Sequence, residues 1–418
     1  MPEKRAATAR SDASPAKKPA PKKPAAKKKP AAKKTRTVLA CGAAARVAPP
    51  AGASSLKVLA VNVAGLRSVL SNDAKGSVLA ALVAAERPDV LCMQETKLQA
   101  AHVEDATKGL AELLPGYTAH WACSGEHGTK KGYAGVATLV RTSKPKPQQK
   151  TLTAMFAPKQ AAPASASTLV GGASTQVGGA QQQPGPTVVG KVASGMGAGN
   201  ASDSIATHEG RLLTLELEQL YVINAYVPNS GQKLERIKYR TETWDVNFAA
   251  FIAELETRKP VLLIGDLNVA FGVRDIHNLY DRPGFPLEIE ARAFEELDEQ
   301  SKEVGQFQGL KALLKQPGCT ALERTSFRET LLGDARVDGL RYFHPAAEGV
   351  FSYWSQRAGN RPFNRGLRLD YTVVSKALLP DPDAKTLPEP GAKLLDSFIL
   401  PDYEFSDHCP IGALISLD

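Results

Sequence analysis

An aspartate and an asparagine two positions apart close a short apolar run in the stretch V-L-L-I-G-D-L-N-V-A, residues 261–270. Four consecutive apolar residues are typical of a strand buried on both faces. Side chains two apart in an extended segment point the same way, so Asp266 and Asn268 leave the strand side by side. Because an unpaired carboxylate is costly in a core, Asp266 is expected at a rim that a ligand or metal can reach. A polar turn that closes the strand explains the same residues without chemistry.

Three more predicted strand ends carry the same kind of chemistry, and a fifth adds another acid. The residues are Glu95 in L-C-M-Q-E-T-K, Tyr226 and Asn229 in Y-V-P-N, Asp407 and His408 in S-D-H-C-P, and Asp370 in R-L-D-Y. Taken one at a time, a surface ion pair, a Pro-Asn turn or a structural Asp-His pair accounts for each motif. Together they predict one site, because functional groups of α/β sheets gather beyond strand ends.

The predicted site offers hard oxygen ligands, one imidazole and no thiol cluster. Such a set suits Mg²⁺, with Mn²⁺ as an alternative, because Mg²⁺ takes few protein carboxylates and keeps water and phosphate oxygens. Phosphodiester hydrolysis needs a metal that offsets phosphate charge, a carboxylate that activates water, and donors around the transition-state oxygens. The residues therefore predict a phosphodiester hydrolase.

The elements that must position these residues alternate along the chain. A strand at 56–63, a helix at 75–86 and a strand at 90–93 predict a layered α/β domain. Further strands are predicted at 117–121, 135–140, 211–217, 221–227, 350–354, 367–374 and 410–416, and a helix at 234–255. The mixture of a hairpin and helix-connected strands predicts two packed sheets with helices outside.

Three segments interrupt this pattern. Residues 143–206 are rich in Ala, Gly, Ser, Gln and Pro and are predicted to be a flexible insertion. Residues 281–316 are charged and helix-prone and are interpreted as a second, partly ordered insertion, and residues 379–393 as a surface loop. Insertions between strands leave the core intact, so residues 56–418 are predicted to be one catalytic domain.

The basic charge of the chain lies in its first part. Residues 1–36 hold 13 Lys or Arg and 2 acidic residues, of totals of 52 and 43, which leaves 39 and 41 for the remainder. Residues 1–55 are predicted to be a disordered tail that contacts nucleic-acid phosphates. The run K-K-K-P at 27–30 fits a nuclear import signal, so nuclear localisation is predicted. A solubilising tail and an organellar transit peptide are the alternatives.

Cysteine usage and hydropathy predict a compartment. The five cysteines are widely spaced and never form a C-x-x-C pair, which argues against a disulfide framework or zinc site and for a reducing compartment. No apolar stretch is long enough to span a bilayer, and no apolar core follows the first basic residues, so neither a membrane partner nor a secretory signal is expected.

The ordered motifs resemble the exonuclease III family of apurinic/apyrimidinic (AP) endonucleases, of the eukaryotic nuclear type. They are L-K-V-L-A-V-N-V-A-G-L-R (56–67), L-C-M-Q-E-T-K (91–97), K-G-Y-A-G-V (131–136), Y-V-P-N (226–229), G-D-L-N-V-A (265–270), R-L-D-Y (368–371) and S-D-H-C-P (406–410). The resemblance implies a four-layer α/β sandwich of the deoxyribonuclease I-like endonuclease/exonuclease/phosphatase type. It implies a monomer that incises double-stranded DNA 5′ to an abasic site with Mg²⁺, leaving a 3′-hydroxyl in base excision repair. Accompanying 3′–5′ exonuclease and 3′-phosphodiesterase activities are also implied.

The resemblance also implies a role for each site residue. Catalysis falls to Asp266, which activates water, to Asn268 on the phosphate, to His408 paired with Asp370, and to Tyr226. The implied metal set is Glu95, Asp266, Asn268, Asp407, His408 and Asn62. Asn229 supports the phosphate side, Tyr133 and Arg211 match motifs near the DNA backbone, and Phe351, Tyr353, Trp354 and Leu367 shape the abasic pocket.

Three positions depart from the family pattern. Ala64 stands where the family has Asp or Asn, so one metal-side oxygen is missing, although water can replace a Mg²⁺ ligand. Gln232 stands where some members have an Arg that penetrates the duplex. Leu367 replaces an aromatic of the pocket wall. Core packing is the alternative explanation of all three.

Two other functions fit part of this pattern. The first is a phosphoesterase of the same fold that acts on lipid, inositol phosphates or RNA, but K-G-Y-A-G-V and Y-V-P-N favour DNA. The second is a DNA-binding protein with weakened catalysis, which Ala64 favours. The retained Glu95, Asp266, Asp407 and His408 favour an active enzyme.

Overall fold

The fold was analysed in a computed structural model that describes residues 46–48, 54–124, 132–142, 192–196, 209–277, 310–380 and 391–417. These residues form two six-stranded sheets with helices. None of the helices in these ranges has the length and apolar character needed to cross a membrane.

The first sheet has the strand order β11-β12-β1-β2-β4-β3. Its strands are β1 (Ser55–Asn62), β2 (Val90–Gln94), β3 (Tyr117–Ala122), β4 (Val136–Arg141), β11 (Lys393–Ile399) and β12 (Ile411–Ser416). The pair β1–β2 is parallel, and its neighbours are antiparallel.

The second sheet has the order β5-β6-β7-β8-β10-β9. Its strands are β5 (Ala193–Ser194), β6 (Leu212–Glu216), β7 (Tyr221–Tyr226), β8 (Val261–Asp266), β9 (Arg336–Asp338) and β10 (Asp370–Ser375). Here β7–β8 is the parallel pair. The two sheets therefore share one plan, a central parallel pair flanked by antiparallel strands.

The helices are α1 (Leu66–Leu70), α2 (Asp73–Glu86), α3 (Val103–Leu113), α4 (Asp245–Glu256), α5 (Leu310–Leu313), α6 (Ala321–Thr325) and α7 (Gly339–Phe343). Helix α2 begins where the side chain of Asn72 accepts from the backbone of Lys75. It ends at Arg87, which adopts the left-handed conformation just before Pro88. Wide π-helical turns precede α4 at Tyr239–Trp244 and follow α6 at Ser326–Leu332.

Alternation along the strands builds four layers. In β1, Val58 packs into the cluster that also holds Leu262 of the second sheet, whereas Leu59 packs with the residues of α1 to α3. In β8, Leu263 packs against Phe248 of α4 on the far side of the second sheet. Successive side chains of a strand face opposite sides, so each sheet has one face on its partner and one on helices. The predicted four-layer α/β sandwich is confirmed.

Strand register brings the functional strand ends to one edge. In the parallel pairs, Asn62 lies opposite Gln94 and Tyr226 opposite Asp266. Asp370 at the start of antiparallel β10 lies opposite the same Asp266. Residues from five strands therefore meet at one end of the sandwich.

Several predicted elements differ from the observed ones. Residues 350–354 form no strand, because the chain turns after Tyr353 and pairs there only through single bridges to Leu367 and His408. The predicted helix at 234–255 is regular only over α4 and begins with a π-helical turn. Strand β11, which the sequence did not predict, contains a register shift between Leu394 and Asp396 that breaks the alternation.

Short described parts of the predicted tail and insertions pack against the fold. Arg46 donates both guanidinium nitrogens to Glu86 at 2.7 Å and lies 4.5 Å over the ring of Phe398. Strand β5 and the buried Met196 lie within the predicted flexible insertion 143–206 and add an edge strand to the second sheet. These residues contradict the prediction for their own positions. Most of the predicted tail and of the insertions 143–206 and 281–316 lies outside the described residues.

Candidate active site

Asp266 stands at the end of β8 and is fixed by two donors. Gly265 precedes it at φ 141, and a Cβ there would lie 2.2 Å from the carbonyl oxygen of Ala225, so only glycine lets β8 approach β7 this closely. Oδ1 of Asp266 accepts from the backbone of Asn268 and Oδ2 accepts from Nδ2 of Asn62, both at 2.9 Å. Its carboxylate is 1% exposed and has one orientation.

Glu95 approaches Asp266 from the first sheet. Its Oε1 accepts from Nδ2 of Asn62 at 3.1 Å and from the hydroxyl of Tyr226 at 2.7 Å. Its Oε2 lies 2.8 Å from the ammonium of Lys97. The amide nitrogen of Asn62 thus lies between the carboxylates of Glu95 and Asp266, and it sets their separation.

His408 and Asp370 form a buried pair beside them. Nδ1 of His408 lies 2.7 Å from Oδ2 of Asp370, and its Nε2 lies 3.9 Å from Oδ2 of Asp266. The hydroxyl of Ser352 accepts from the backbone of Asp370 at 3.0 Å and fixes the start of β10. The geometry leaves Nε2 of the imidazole as the nitrogen that faces Asp266.

Burial and mutual charge set the protonation of this group. Burial opposes a charged imidazole, but the carboxylates of Asp370, Asp266 and Asp407 outweigh it and raise the pKa of His408 to about 10. Burial and the charge of Asp370 raise the pKa of Asp266 to about 7. These shifts favour an imidazolium at His408 and a protonated carboxyl at Asp266 in the metal-free site.

Two amides and a phenol complete the rim. Nδ2 of Asn229 donates to Oδ1 of Asn268 at 3.1 Å, and Nδ2 of Asn268 donates to the carbonyl of Val227 at 2.9 Å. Burial and the charge of Glu95 raise the pKa of Tyr226 well above its usual range, so its hydroxyl keeps its proton and donates it to Glu95. Asn229 and Asn268 are thereby fixed relative to Asp266.

Asp407 adjoins the site next to His408 in the chain and pairs through its backbone with Trp354. Its backbone carbonyl accepts from Trp354, and its Oδ1 accepts from Ser406. Burial raises the pKa of Tyr353, and the negative charges of Asp407, Asp266 and Glu95 add to that rise. The ring of Tyr353 lies 4.9 Å from that of His408. Tyr353 therefore lies in the field of the three acids that were predicted to converge.

The donor set fits a divalent cation. The carboxylates of Asp266 and Asp370 and the imidazole of His408 lie within 4.8 Å of one another, and of these three the carboxylates are the groups that can ligate a cation while His408 is charged. Among the described residues, Oδ1 of Asp370 is a buried carboxylate oxygen without a hydrogen-bond partner. Glu95 is balanced by Lys97 alone among charged side chains in the described ranges. Excess carboxylate charge around hard oxygen donors is the environment that Mg²⁺ and Mn²⁺ select.

Arg211, which matches a motif near the DNA backbone, is enclosed by the fold. It is fully buried, with its guanidinium 4.7 Å over the ring of Tyr226, 5.5 Å from that of Tyr133, and donating to the carbonyl of Tyr226 at 3.1 Å. A side chain with no exposed surface cannot contact DNA, so Arg211 supports Tyr226 from behind. Tyr133 is partly exposed and its role at the DNA backbone stays a prediction.

The predicted pocket residues divide into two groups. Phe351 and Trp354 lie in the core between the sheets with 3% and 2% of their surface exposed, and their part in shaping the pocket stays a prediction. Tyr353 and Leu367 are partly exposed and pair through their backbones next to His408. The pocket role of Tyr353 and Leu367 stays a prediction.

The structure also describes Ala64 and Gln232, the other two departures from the family pattern. Ala64 has φ 51, in the left-handed region that Asp, Asn and Gly tolerate better than Ala, and the ammonium of Lys97 lies 3.5 Å from its carbonyl. Gln232 is exposed in the turn after Asn229.

Two buried side chains that the sequence interpretation missed support the site. Arg240 donates to the carbonyls of Pro228 and Asn268 at 3.0 Å and of Leu267 at 2.6 Å, and so holds the two strand-end loops together. Asn224 lies in the apolar strand β7 and accepts from Gln94 of β2 at 2.7 Å. The sequence signal for Asn224 was a polar residue within an apolar strand. No feature of the sequence around Arg240 indicated its role.

Comparisons with known proteins agree with this geometry. The profile of the Endonuclease/Exonuclease/phosphatase family matches residues 59–408. A DNA-(apurinic or apyrimidinic site) endonuclease of Dictyostelium discoideum is 30% identical over 373 residues, covering 88% of this chain and 73% of that protein. An exodeoxyribonuclease of Bacillus subtilis is 30% identical over 363 residues, or 87% of this chain and 100% of that protein. The crystal structure of AP endonuclease LMAP from Leishmania major superposes with a TM-score of 0.58 at 28% identity, covering 87% of this chain and 88% of that chain.

Proposed function

The chain belongs to the endonuclease/exonuclease/phosphatase family and is a hydrolase, and we propose that it is a DNA-(apurinic or apyrimidinic site) endonuclease. It hydrolyses the phosphodiester on the 5′ side of an abasic nucleotide and leaves a 3′-hydroxyl and a 5′-phosphate. The observation that carries the proposal is the meeting of Glu95, Asp266, Asp370 and His408 at one edge of the two sheets. The relatives named above supply the substrate class.

Asp266 is the general base of the proposed reaction. Its carboxylate takes a proton from the water that attacks phosphorus, while the bond from phosphorus to the 3′-oxygen breaks and that oxygen takes up a proton from solvent water. A base with a pKa near 7 combines adequate strength with availability at neutral pH. The donors Asn62 and the backbone of Asn268 hold the carboxylate in one orientation, so no reorganisation is needed during attack.

His408 stabilises the phosphate oxygens. Its Nδ1–H donates to Asp370, which leaves the Nε2–H free to donate to a non-bridging oxygen on the Asp266 side. A fixed positive donor in a buried site is worth most where negative charge develops in the transition state. Asp370 fixes both the ring orientation and the charge of His408.

A divalent cation, Mg²⁺ with Mn²⁺ as an alternative, is proposed at the carboxylates. Glu95, Asp407 and Asp266 would hold it, with Asn62 positioning two of the three. When bound, the cation offsets the negative charge of the phosphodiester. The side chain of Ala64 offers no ligand there, so this chain relies on fewer protein oxygens than the family pattern implies.

Partners and location complete the proposal. The substrate is double-stranded DNA with abasic sites, bound by a monomer, with 3′–5′ exonuclease and 3′-phosphodiesterase activity on the same site. The 13 basic residues of positions 1–36 support nuclear localisation and a contribution to DNA affinity through phosphate contacts. Base excision repair is the process that uses this reaction.

The test is incision of a duplex that contains one tetrahydrofuran abasic analogue. We expect cutting at one position with Mg²⁺, none with EDTA, and a loss of about 10²- to 10⁴-fold in Asp266→Asn. Asp73→Asn, which changes an exposed acid at the start of α2, is the matched control and keeps full activity. Equal cutting by Asp266→Asn contradicts the proposal, and faster turnover of RNA or an inositol phosphate would identify a different phosphoesterase.

A further inference from the structure

A basic loop emerges directly beside the catalytic histidine. The segment S-Q-R-A-G-N-R-P-F-N-R-G, residues 355–366, contains three arginines and no acidic residue. Its neck is closed by paired backbone hydrogen bonds of 2.9 Å between Tyr353 and Leu367, and Tyr353 also bridges to His408. The loop therefore starts and ends at the active site.

The base of the loop is fixed to the fold. Arg361 donates to the carbonyls of Ser406 and Pro401 at 2.9 Å, and its guanidinium lies 4.6 Å over the ring of Trp354. Asn364 donates to the carbonyl of Gly349 at 2.8 Å and accepts from Nε1 of Trp354 at 3.1 Å. These contacts hold the loop against the segment that carries His408.

The tip of the loop presents an aromatic ring to solvent. Phe363 is 69% exposed, the highest value among the exposed large hydrophobic residues of the described ranges. The guanidinium of Arg365 lies 5.4 Å from its ring, and Arg357 and Pro362 are exposed alongside. An exposed aromatic ring between arginines is the arrangement by which proteins stack a nucleic-acid base and hold its backbone.

We propose that Phe363 stacks on the base that neighbours the abasic nucleotide, while Arg357 and Arg365 contact the flanking phosphates. A missing base leaves the face of its neighbour without a stacking partner, so an aromatic ring can cover that face without first unstacking an intact helix. Intact DNA offers no such face. Phe363 therefore contributes to selectivity for damage, whereas the arginines contribute equally to both kinds of DNA. This inference rests on the proposed function of the site.

The charge of the loop and its position favour DNA as the occupant. A segment with three arginines and no acid attracts a polyanion, and its neck adjoins the residues assigned to phosphodiester hydrolysis. A second copy of this chain would have to present an acidic or apolar patch instead. Such self-association is an outcome that the experiment separates.

The experiment measures the Kd of the full-length protein in EDTA for two duplexes of one sequence, with and without a tetrahydrofuran site. We expect Phe363→Ala to weaken binding to the abasic duplex by roughly 5- to 100-fold and leave the undamaged duplex unchanged. Phe363→Trp restores affinity. Arg365→Gln weakens both duplexes equally and lowers the slope of log K against log salt by about 0.9.

A stacking signal and a control complete the design. The fluorescence of a 2-aminopurine placed beside the abasic site should be quenched by the wild type and by Phe363→Trp, but not by Phe363→Ala. Tyr342→Ala removes an exposed aromatic of α7, a helix that gives no residue to the site, and should bind both duplexes as the wild type does.

The outcomes separate the two proposals. One outcome is that the wild type prefers and cuts the abasic duplex while Phe363→Ala matches it in affinity and in quenching. That result overturns the role of Phe363 and leaves the proposed function standing. Wild-type protein that neither prefers nor cuts the abasic duplex overturns the proposed function. A change of elution volume in gel filtration, with DNA binding of Phe363→Ala unchanged, shows that a second copy of the chain occupies the loop. This result also overturns the inference.

Discussion

The side-chain amide of Gln94 donates to Oδ1 of Asn224 at 2.7 Å and joins the two sheets through the middle of the core. Asn224 in turn donates to the carbonyl of Ala137 at 2.8 Å and to the hydroxyl of Thr138 at 3.0 Å. Gln94 immediately precedes Glu95, and Asn224 lies on β7 beside β8, which ends at Asp266. This buried contact therefore holds the strand that leads into Glu95 against the strand beside β8.

Replacing Asn224 by Leu should destabilise the protein by about 2 to 4 kcal/mol, because it leaves several buried polar groups without partners. Urea unfolding measures the loss. The double variant Gln94→Met with Asn224→Leu should be less destabilised than the sum of the single variants, since both partners are then apolar. Simple additivity would show that the pair does not act as one contact.

The left-handed backbone at Ala64 predicts that substitution by glycine stabilises the protein. Ala64→Gly should raise the free energy of unfolding by up to about 1 kcal/mol, because glycine adopts φ 51 without steric cost. Ala64→Asp should in addition bind Mg²⁺ and Mn²⁺ more tightly than Ala64→Gly does, since it adds a carboxylate. Calorimetric titration with each metal checks this, and equal affinity of the two variants would place residue 64 outside the metal site.

Asp370 should act through His408. Asp370→Asn removes the charge that holds the imidazolium, so kcat should fall by about 10²- to 10⁴-fold and the alkaline limb of the pH profile should move to lower pH. The control is Asp402→Asn, which changes an exposed acid in the turn that precedes His408 in the chain. A loss of activity without any shift of the profile would indicate a purely structural role for Asp370.

The raised pKa of His408 predicts how stability depends on pH in the metal-free protein. A folded-state pKa of about 10 against 6.5 in the unfolded chain means that the native state holds the proton more tightly. The resulting stabilisation is complete below pH 6.5 and is lost as pH rises toward 10. Urea unfolding in EDTA should show this decline, and His408→Asn should show a shallower one. Parallel curves for the two proteins would rule out the contribution of His408.

The carboxyl of Asp266 also makes the stability of the metal-free protein fall as pH rises, but over a lower pH range. Its pKa is raised from 3.8 to about 7 by burial and by the charge of Asp370, so ionisation favours the unfolded chain as pH rises through that window. Asp266→Asn should therefore be more stable than the wild type at pH 8 in EDTA while being inactive. This opposition of stability and activity is expected of a buried carboxylate that acts as the general base.

The sequence predicted the fold where periodicity is regular. The apolar runs of β1, β2 and β8 and their order with α2 were sufficient for a layered α/β domain. The prediction was wrong where tertiary contacts override local pattern: the register shift in β11 hides its alternation, and the segment at 350–354 forms isolated bridges at Tyr353 instead of a strand. Local patterns carry no information about which distant backbone a residue meets.

The sequence by itself determined which residue types stand at the strand ends, because each motif is a contiguous stretch whose chemistry is legible in isolation. The tertiary structure decided how they are used. Asn62 lies between two acids, Arg211 is buried behind Tyr226, and Phe363 is exposed on the loop whose neck pairs with His408. Separation, burial and protonation depend on charges and surfaces brought together from remote parts of the chain, and these arise only when the two sheets pack.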